Sequence, residues 1–121
     1  MKIQGVGTDI IEIDRVKKVF EKWGKQFEEK ILTSSEKQIK KSPSQKLTFL
    51  AGRFAAKEAI FKSLEIGPYW HKVSILQGKN GEPLVKLSPE ILKNTRKKVK
   101  KVLVSISHCK KYALAQAIAI G

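Results

Sequence analysis

Between positions 44 and 64 the chain repeats apolar side chains at helical spacing, with Leu47, Leu50, Ala51, Phe54, Ala55 and Phe61 three or four residues apart. The pattern predicts a helix over that stretch, and its apolar arc needs a partner surface. Glu58 falls near the middle of this arc, between Phe54 and Phe61, with Lys62 one turn on at its edge. An ionised carboxylate on a buried face is costly unless it is paired or bound to a metal. Whatever this helix packs against must therefore also compensate Glu58.

The flanking sequence supplies strands and shorter helices. Residues 3–10 read as a strand with Gly5 and Gly7 on the same face as Asp9, and glycine in a strand marks close approach of another backbone or a ligand. Asp14 is placed to cap a helix running from Arg15 to about Trp23 or Phe27. Thr33-Ser34-Ser35-Glu36 fits a capping box opening a short helix to about Lys41, and Gly67-Pro68 is expected to end the long helix. Residues 73–77 and 84–87 read as a hairpin across a turn-rich connection, and Ser88-Pro89-Glu90 starts a helix to about Lys97. Residues 101–107 and 112–120 close the chain as two strands around His108-Cys109-Lys110-Lys111. This order predicts an α+β fold, a mainly antiparallel sheet packed with helices.

With 121 residues, 41% of them hydrophobic, there is room for one core. No apolar run approaches the roughly 20 residues that span a bilayer. Cys109 is the only cysteine and the amino terminus lacks the layout of a secretion signal, so a reducing, cytoplasmic location is expected. The net charge of +14 calls for an anionic partner: nucleic acid, a phosphorylated ligand, an acidic protein or an anionic membrane.

Two groups of side chains can carry chemistry. Three of the eleven acids fall within residues 9–14, and Asp9 ends the glycine-bearing strand. If Asp9 and Glu58 converge, they suit a hard divalent cation such as magnesium, which takes one or two carboxylates and completes its shell with water and phosphate. Asp9 also reads as a turn or cap residue, and Glu58 as the partner of Lys62 in a helical ion pair. Among the cations, Arg15, Lys18, Lys22 and Lys25 lie within an arc of roughly 80° on the first helix, apart from the apolar arc of Val16, Val19, Phe20 and Trp23. A second cluster, Lys93, Arg96, Lys97, Lys98, Lys100 and Lys101, is denser but less patterned. Arg53, Lys57 and Lys62 surround Glu58 and are expected to meet phosphates. His71 and Cys109 have no partner pattern, and no Walker loop or dinucleotide fingerprint is present. From charge alone a small nucleic-acid-binding module is a further reading, although few aromatics are available for stacking, and so is a structural subunit that trimerises.

Three segments resemble the phosphopantetheinyl transferases, most closely their short, bacterial type. They are Gly5-Val6-Gly7-Thr8-Asp9-Ile10-Ile11-Glu12-Ile13, Arg53-Phe54-Ala55-Ala56-Lys57-Glu58-Ala59-Ile60-Phe61-Lys62, and Ser105-Ile106-Ser107-His108 with Tyr112-Ala113. Their order and spacing cover essentially the whole chain, so residues 1–121 are expected to form one such domain. The resemblance implies transfer of 4′-phosphopantetheine from coenzyme A to a serine of apo acyl carrier protein in fatty acid biosynthesis, releasing adenosine 3′,5′-bisphosphate. It implies catalytic roles for Asp9, Glu58 and Lys62, with Asp9 and Glu58 holding magnesium (or manganese). The base is Glu58 or a metal-bound water, and Lys62 steadies or protonates the leaving phosphate. Arg53, Lys62, Ser107 and His108 would contact coenzyme A, as would the Gly81-Glu82-Pro83 turn. The acidic carrier protein would dock on Arg15, Lys18, Lys22 and Lys25, and the protein would be a homotrimer with sites between neighbouring subunits. No nucleic acid and no membrane span belong to this reading. After the central segment the chain departs from the family's glycine-rich turn, reading Ser63-Leu64-Glu65-Ile66-Gly67-Pro68-Tyr69-Trp70.

Overall fold

The computed structural model describes residues 1–95 and 97–121, so the place of Arg96 in the second basic cluster lies outside the described residues. In chain order the elements are β1 (Ile3–Glu12), α1 (Ile13–Trp23), α2 (Lys25–Ile31), α3 (Ser34–Lys37) and α4 (Pro43–Leu64). A short 3-10 turn (Trp70–Lys72), β2 (Val73–Gln77), β3 (Pro83–Leu87), α5 (Pro89–Asn94), β4 (Lys101–His108) and β5 (Tyr112–Ile120) follow. The three-stranded sheet has the order β1-β5-β4 and the hairpin β2-β3 forms a second sheet, all pairs antiparallel. This is the expected α+β class.

The long helix α4 lies across the inner face of the larger sheet, and small side chains bring it close. β5, the central strand, turns Ala113, Ala115, Ala117 and Ala119 inward, all buried, toward a helix that buries Ala51, Ala55, Ala56 and Ala59. On β1 a Cβ at Gly7 would stand 1.9 Å from the carbonyl oxygen of Ala59, and one at Gly5 would stand 2.0 Å from that of Ser63. The strand glycines thus mark a backbone approach, the backbone of α4 itself. One apolar core fills the space between α4, the sheets and α5, and a second joins α1, α2 and α4.

Several boundaries differ from expectation for physical reasons. β1 runs to Glu12 and leads directly into α1, with the Ile13 N–H donating to the Lys111 carbonyl at 2.9 Å. Asp14 therefore sits inside the first turn and Glu12 takes the cap position. Gly24, at φ 54°, breaks the helix that was expected to run on, so Lys25 begins α2. Thr33 and Glu36 form the expected capping box, but α3 ends at Lys37. α4 stops at Leu64 because Glu65 turns left-handed at φ 56°, two residues before Gly67. α5 ends at Asn94, where the Thr95 hydroxyl turns to the Leu64 carbonyl.

From Leu50 onward α4 is buried nearly all round, not along one arc. Its open line is Phe54, Glu58 and Lys62, four residues apart, so Glu58 lies on the most accessible stripe of the helix. Lys57, expected to meet phosphates, is instead fully buried and spends all three ammonium protons internally. It donates to the Ile31 carbonyl at 2.6 Å, to Glu36 Oε1 at 2.6 Å and to the Trp70 carbonyl at 2.8 Å. Burial pushes its pKa down, against the pull of Glu36.

Candidate active site

Asp9 and Glu58 converge. The glycines of β1 let α4 settle against the strand, and the next inward residue, Asp9, reaches the open stripe of the helix. Both acids line a cleft of about 520 Å³ between β1, α1 and α4, together with Arg15, Phe27, Phe54 and Tyr112. Lys62 donates to the Thr8 carbonyl at 2.9 Å and to Asp9 Oδ1 at 3.4 Å, so it bridges helix and strand in place of a pairing with Glu58. The Glu58 carboxyl is held above its ordinary pKa, first by burial and then by repulsion from Asp9, with Lys62 opposing both.

This donor set fits a divalent cation. Two half-buried carboxylates from different elements repel one another, and a cation between them would remove that repulsion. Among the described residues no group of three or more His, Cys, Asp or Glu is gathered closely enough to hold a metal ion. A pair of carboxylates suits magnesium, which keeps several positions for water and phosphate oxygens.

The other expected ligand-binding residues lie elsewhere. Arg53, Gly81, Pro83 and His108 line a separate cavity of about 370 Å³ between α4 and the hairpin, with Lys41, Ser44 and Thr48 on the helix side. Arg53 donates from Nε to the Ile75 carbonyl at 3.1 Å and lies over the Phe49 ring at 4.7 Å. Among the described residues its Nη2 is buried without a hydrogen-bond partner, and the Arg53 side chain is part of the lining of a cavity whose cations suit an anion. Ser107 is not brought to this cavity: it is exposed and points to the opposite side of β4 from Ile106 and His108. A third recess of about 290 Å³ links Glu58 and Lys62 to the segment Glu65–Pro68, where Lys97 holds Glu65 at 3.0 Å.

Arg15 reaches the Asp9–Glu58 cleft, Lys18 and Lys22 stand exposed on α1, and the Gly24 break separates Lys25 from them. The apolar arc of α1 is only partly packed. Val19 and Trp23 remain exposed and line a recess of about 360 Å³ with Phe27, Phe54 and Trp70. Sequence reasoning missed Glu36 as a core residue. Its capping-box pattern was visible, but its pairing with Lys57 and with the Ile75 N–H is long-range.

The family model of the 4′-phosphopantetheinyl transferase superfamily matches residues 5–117. The chain is 41% identical over 119 residues to the holo-[acyl-carrier-protein] synthase of Chlamydia muridarum, covering 95% of this chain and 93% of that one. It is 41% identical over 123 residues to the enzyme of that name from Aliivibrio fischeri, covering 98% of each. The Helicobacter pylori holo-[acyl-carrier-protein] synthase, solved with coenzyme A, superposes with a TM-score of 0.83 at 28% identity over 95% of this chain and 99% of that one. The Bacillus anthracis synthase, in complex with CoA (3′,5′-ADP), gives 0.77 at 35% identity over 97% and 96%. The chain belongs to the holo-[acyl-carrier-protein] synthases of the 4′-phosphopantetheinyl transferase superfamily.

Proposed function

We propose that this protein transfers 4′-phosphopantetheine from coenzyme A to a serine of apo acyl carrier protein, with magnesium, in fatty acid biosynthesis. The observation that carries the reading is the convergence of Asp9 and Glu58 beside Lys62 in one cleft. The serine oxygen forms a bond to the phosphorus that bears pantetheine. The bond from that phosphorus to the bridging oxygen breaks, and adenosine 3′,5′-bisphosphate leaves. Asp9 and Glu58 would hold the metal, which supplies charge neutralisation at the pyrophosphate and the departing oxygen. Lys62 is placed to follow that departing charge, since among the described residues its acceptors are the Thr8 carbonyl and Asp9. The serine proton leaves into a cleft whose proton acceptors include Asp9, Glu12 and Glu58. Manganese is admissible in the same oxygen set.

Coenzyme A is anionic at two places, the pyrophosphate and the ribose 3′-phosphate. The Asp9–Glu58 cleft serves the first, so the Arg53 cavity is left for the nucleotide end. Arg53 and Glu58 open on different sides of α4, and the two cavities share no lining residue. The outer face of the larger sheet leaves Val6, Ile10, Leu103 and Leu114 exposed, an apolar face that suits another copy of the chain. Both facts support a homotrimer in which each site takes Asp9, Glu58 and Lys62 from one copy and the Arg53 cavity from its neighbour. Ser107, on that outer face, then belongs to the interface side.

The acidic carrier protein would meet Arg15, Lys18 and Lys22, with Lys25 beyond the break. Complementary charge there speeds encounter and sets orientation. The reaction is placed in the cytoplasm, with the lone Cys109 as its support in the chain. Among the described residues no helix is long and apolar enough to cross a membrane. Mass spectrometry of apo carrier protein incubated with coenzyme A and this protein should show pantetheinylation that chelation abolishes and magnesium restores. No mass gain across several carrier proteins would sink the reading.

A further inference from the structure

β2 has an open edge inside the protein. The bonds from the Gly78 N–H to the Glu82 carbonyl and from the Ser88 N–H to the Lys72 carbonyl set the pairing parity of the hairpin. By that alternation Ile75 turns its own N–H and C=O away from β3. Among the described residues no strand adjoins that edge; side chains meet it. Glu36 Oε2 accepts the Ile75 N–H at 2.9 Å, and Arg53 Nε donates to the Ile75 carbonyl at 3.1 Å. Glu36 Oε1 meanwhile accepts from the Thr33 N–H at 2.9 Å and from Lys57. Glu36 and Lys57 are fully buried and Arg53 is 7% exposed.

This buried group contains two cations and one anion, with one guanidinium donor free. A buried excess of positive charge is costly unless an anion joins it. We propose that Glu36, with Lys57, is a positioning residue for ligand binding. It anchors the Ile75 peptide so that Arg53 is held through Nε and over Phe49, with its guanidinium set at the cavity wall for an anionic oxygen of the ligand. The inference rests on the coenzyme A reading of the Arg53 cavity. In Glu36→Gln one carboxylate oxygen becomes an amide donor, so either the Ile75 N–H or the Lys57 ammonium loses its acceptor and faces a donor instead. The β2 edge then shifts, and Arg53 loses the carbonyl that orients it.

Calorimetric titration with adenosine 3′,5′-bisphosphate tests this directly. Glu36→Gln, and Glu36→Gln combined with Lys57→Met so that the buried pair is removed together, should each weaken nucleotide binding on the order of tenfold. KM for coenzyme A should rise in step, with kcat within about twofold and KM for the carrier protein unchanged. In an Arg53→Met background the same changes should weaken binding no further, because the residue they act through is gone. Lower melting temperature with unaltered nucleotide affinity would overturn the proposal. So would an effect that adds in full to that of Arg53→Met. The double change keeps the test open if Glu36→Gln alone does not fold. Nucleotide binding needs no carrier protein, so a wild type that binds nucleotide yet transfers nothing overturns the transfer reading alone.

Discussion

Glu58 carries its charge against the local field, and that gives it a measurable signature. Its folded-state pKa lies above the ordinary 4.5 because burial and Asp9 both disfavour ionisation. The folded state therefore holds the proton more tightly than the unfolded chain, and stability falls as pH rises from about 4.5 through the raised value. Glu58→Gln lacks that loss. In metal-free buffer at neutral pH it should melt above the wild type, with the gap closing as pH drops below the ordinary carboxylate range. Magnesium should reverse the order, since it stabilises only the protein that binds it. Scanning calorimetry with and without chelator checks both, and a wild type indifferent to magnesium would count against the metal assignment. The importance of Glu58 was legible in the sequence as a misfit in an apolar repeat, but the geometry behind it was not. Phe54 and Phe61 suggested burial on that side, whereas Phe54 lies on the open stripe with Glu58. The neighbouring Lys57 looked like a phosphate ligand because nothing local points to Glu36, 21 positions away.

The pairing of β1 with α4 decides whether the site exists at all. Gly7 and Ala59 meet backbone to backbone, and backbone cannot rotate out of the way. Gly7→Ala should cost about 3 kcal/mol or more, at the upper end of overpacking penalties, and should push α4 away from Asp9. Urea denaturation measures the first effect, and loss of magnesium-dependent stabilisation reports the second. Element type and order were largely legible, because the apolar repeat of α4, the Thr33 capping box and the proline start of α5 are local signals. Ends were harder. Asp14 lost the cap position because the closing hairpin had already supplied Lys111 to the Ile13 N–H, a contact between residues 98 apart. Glu65 ended α4 where only a glycine would have announced a left-handed residue.

At the scale of the whole molecule, the split between the Asp9–Glu58 cleft and the Arg53 cavity is the feature with the widest reach. Asp9 and Glu58 of the one and Arg53 and His108 of the other lie in segments that resemble the family. Their separation was not legible, because it depends on which sides of α4 open after every neighbour has packed. If neighbouring copies complete each other's sites, one helix serves two reactions. A copy crippled at Arg53 still offers Glu58, and a copy crippled at Glu58 still offers Arg53. Unfolding the two inactive variants together in equal amounts and refolding them should restore about a quarter of wild-type transfer, the chance that an intact half meets an intact half. Persistent inactivity of the mixture would mean that each site is finished within one chain. In genetic terms the gene should show complementation between alleles: a cell bearing two different null copies would make holo carrier protein although neither copy alone suffices.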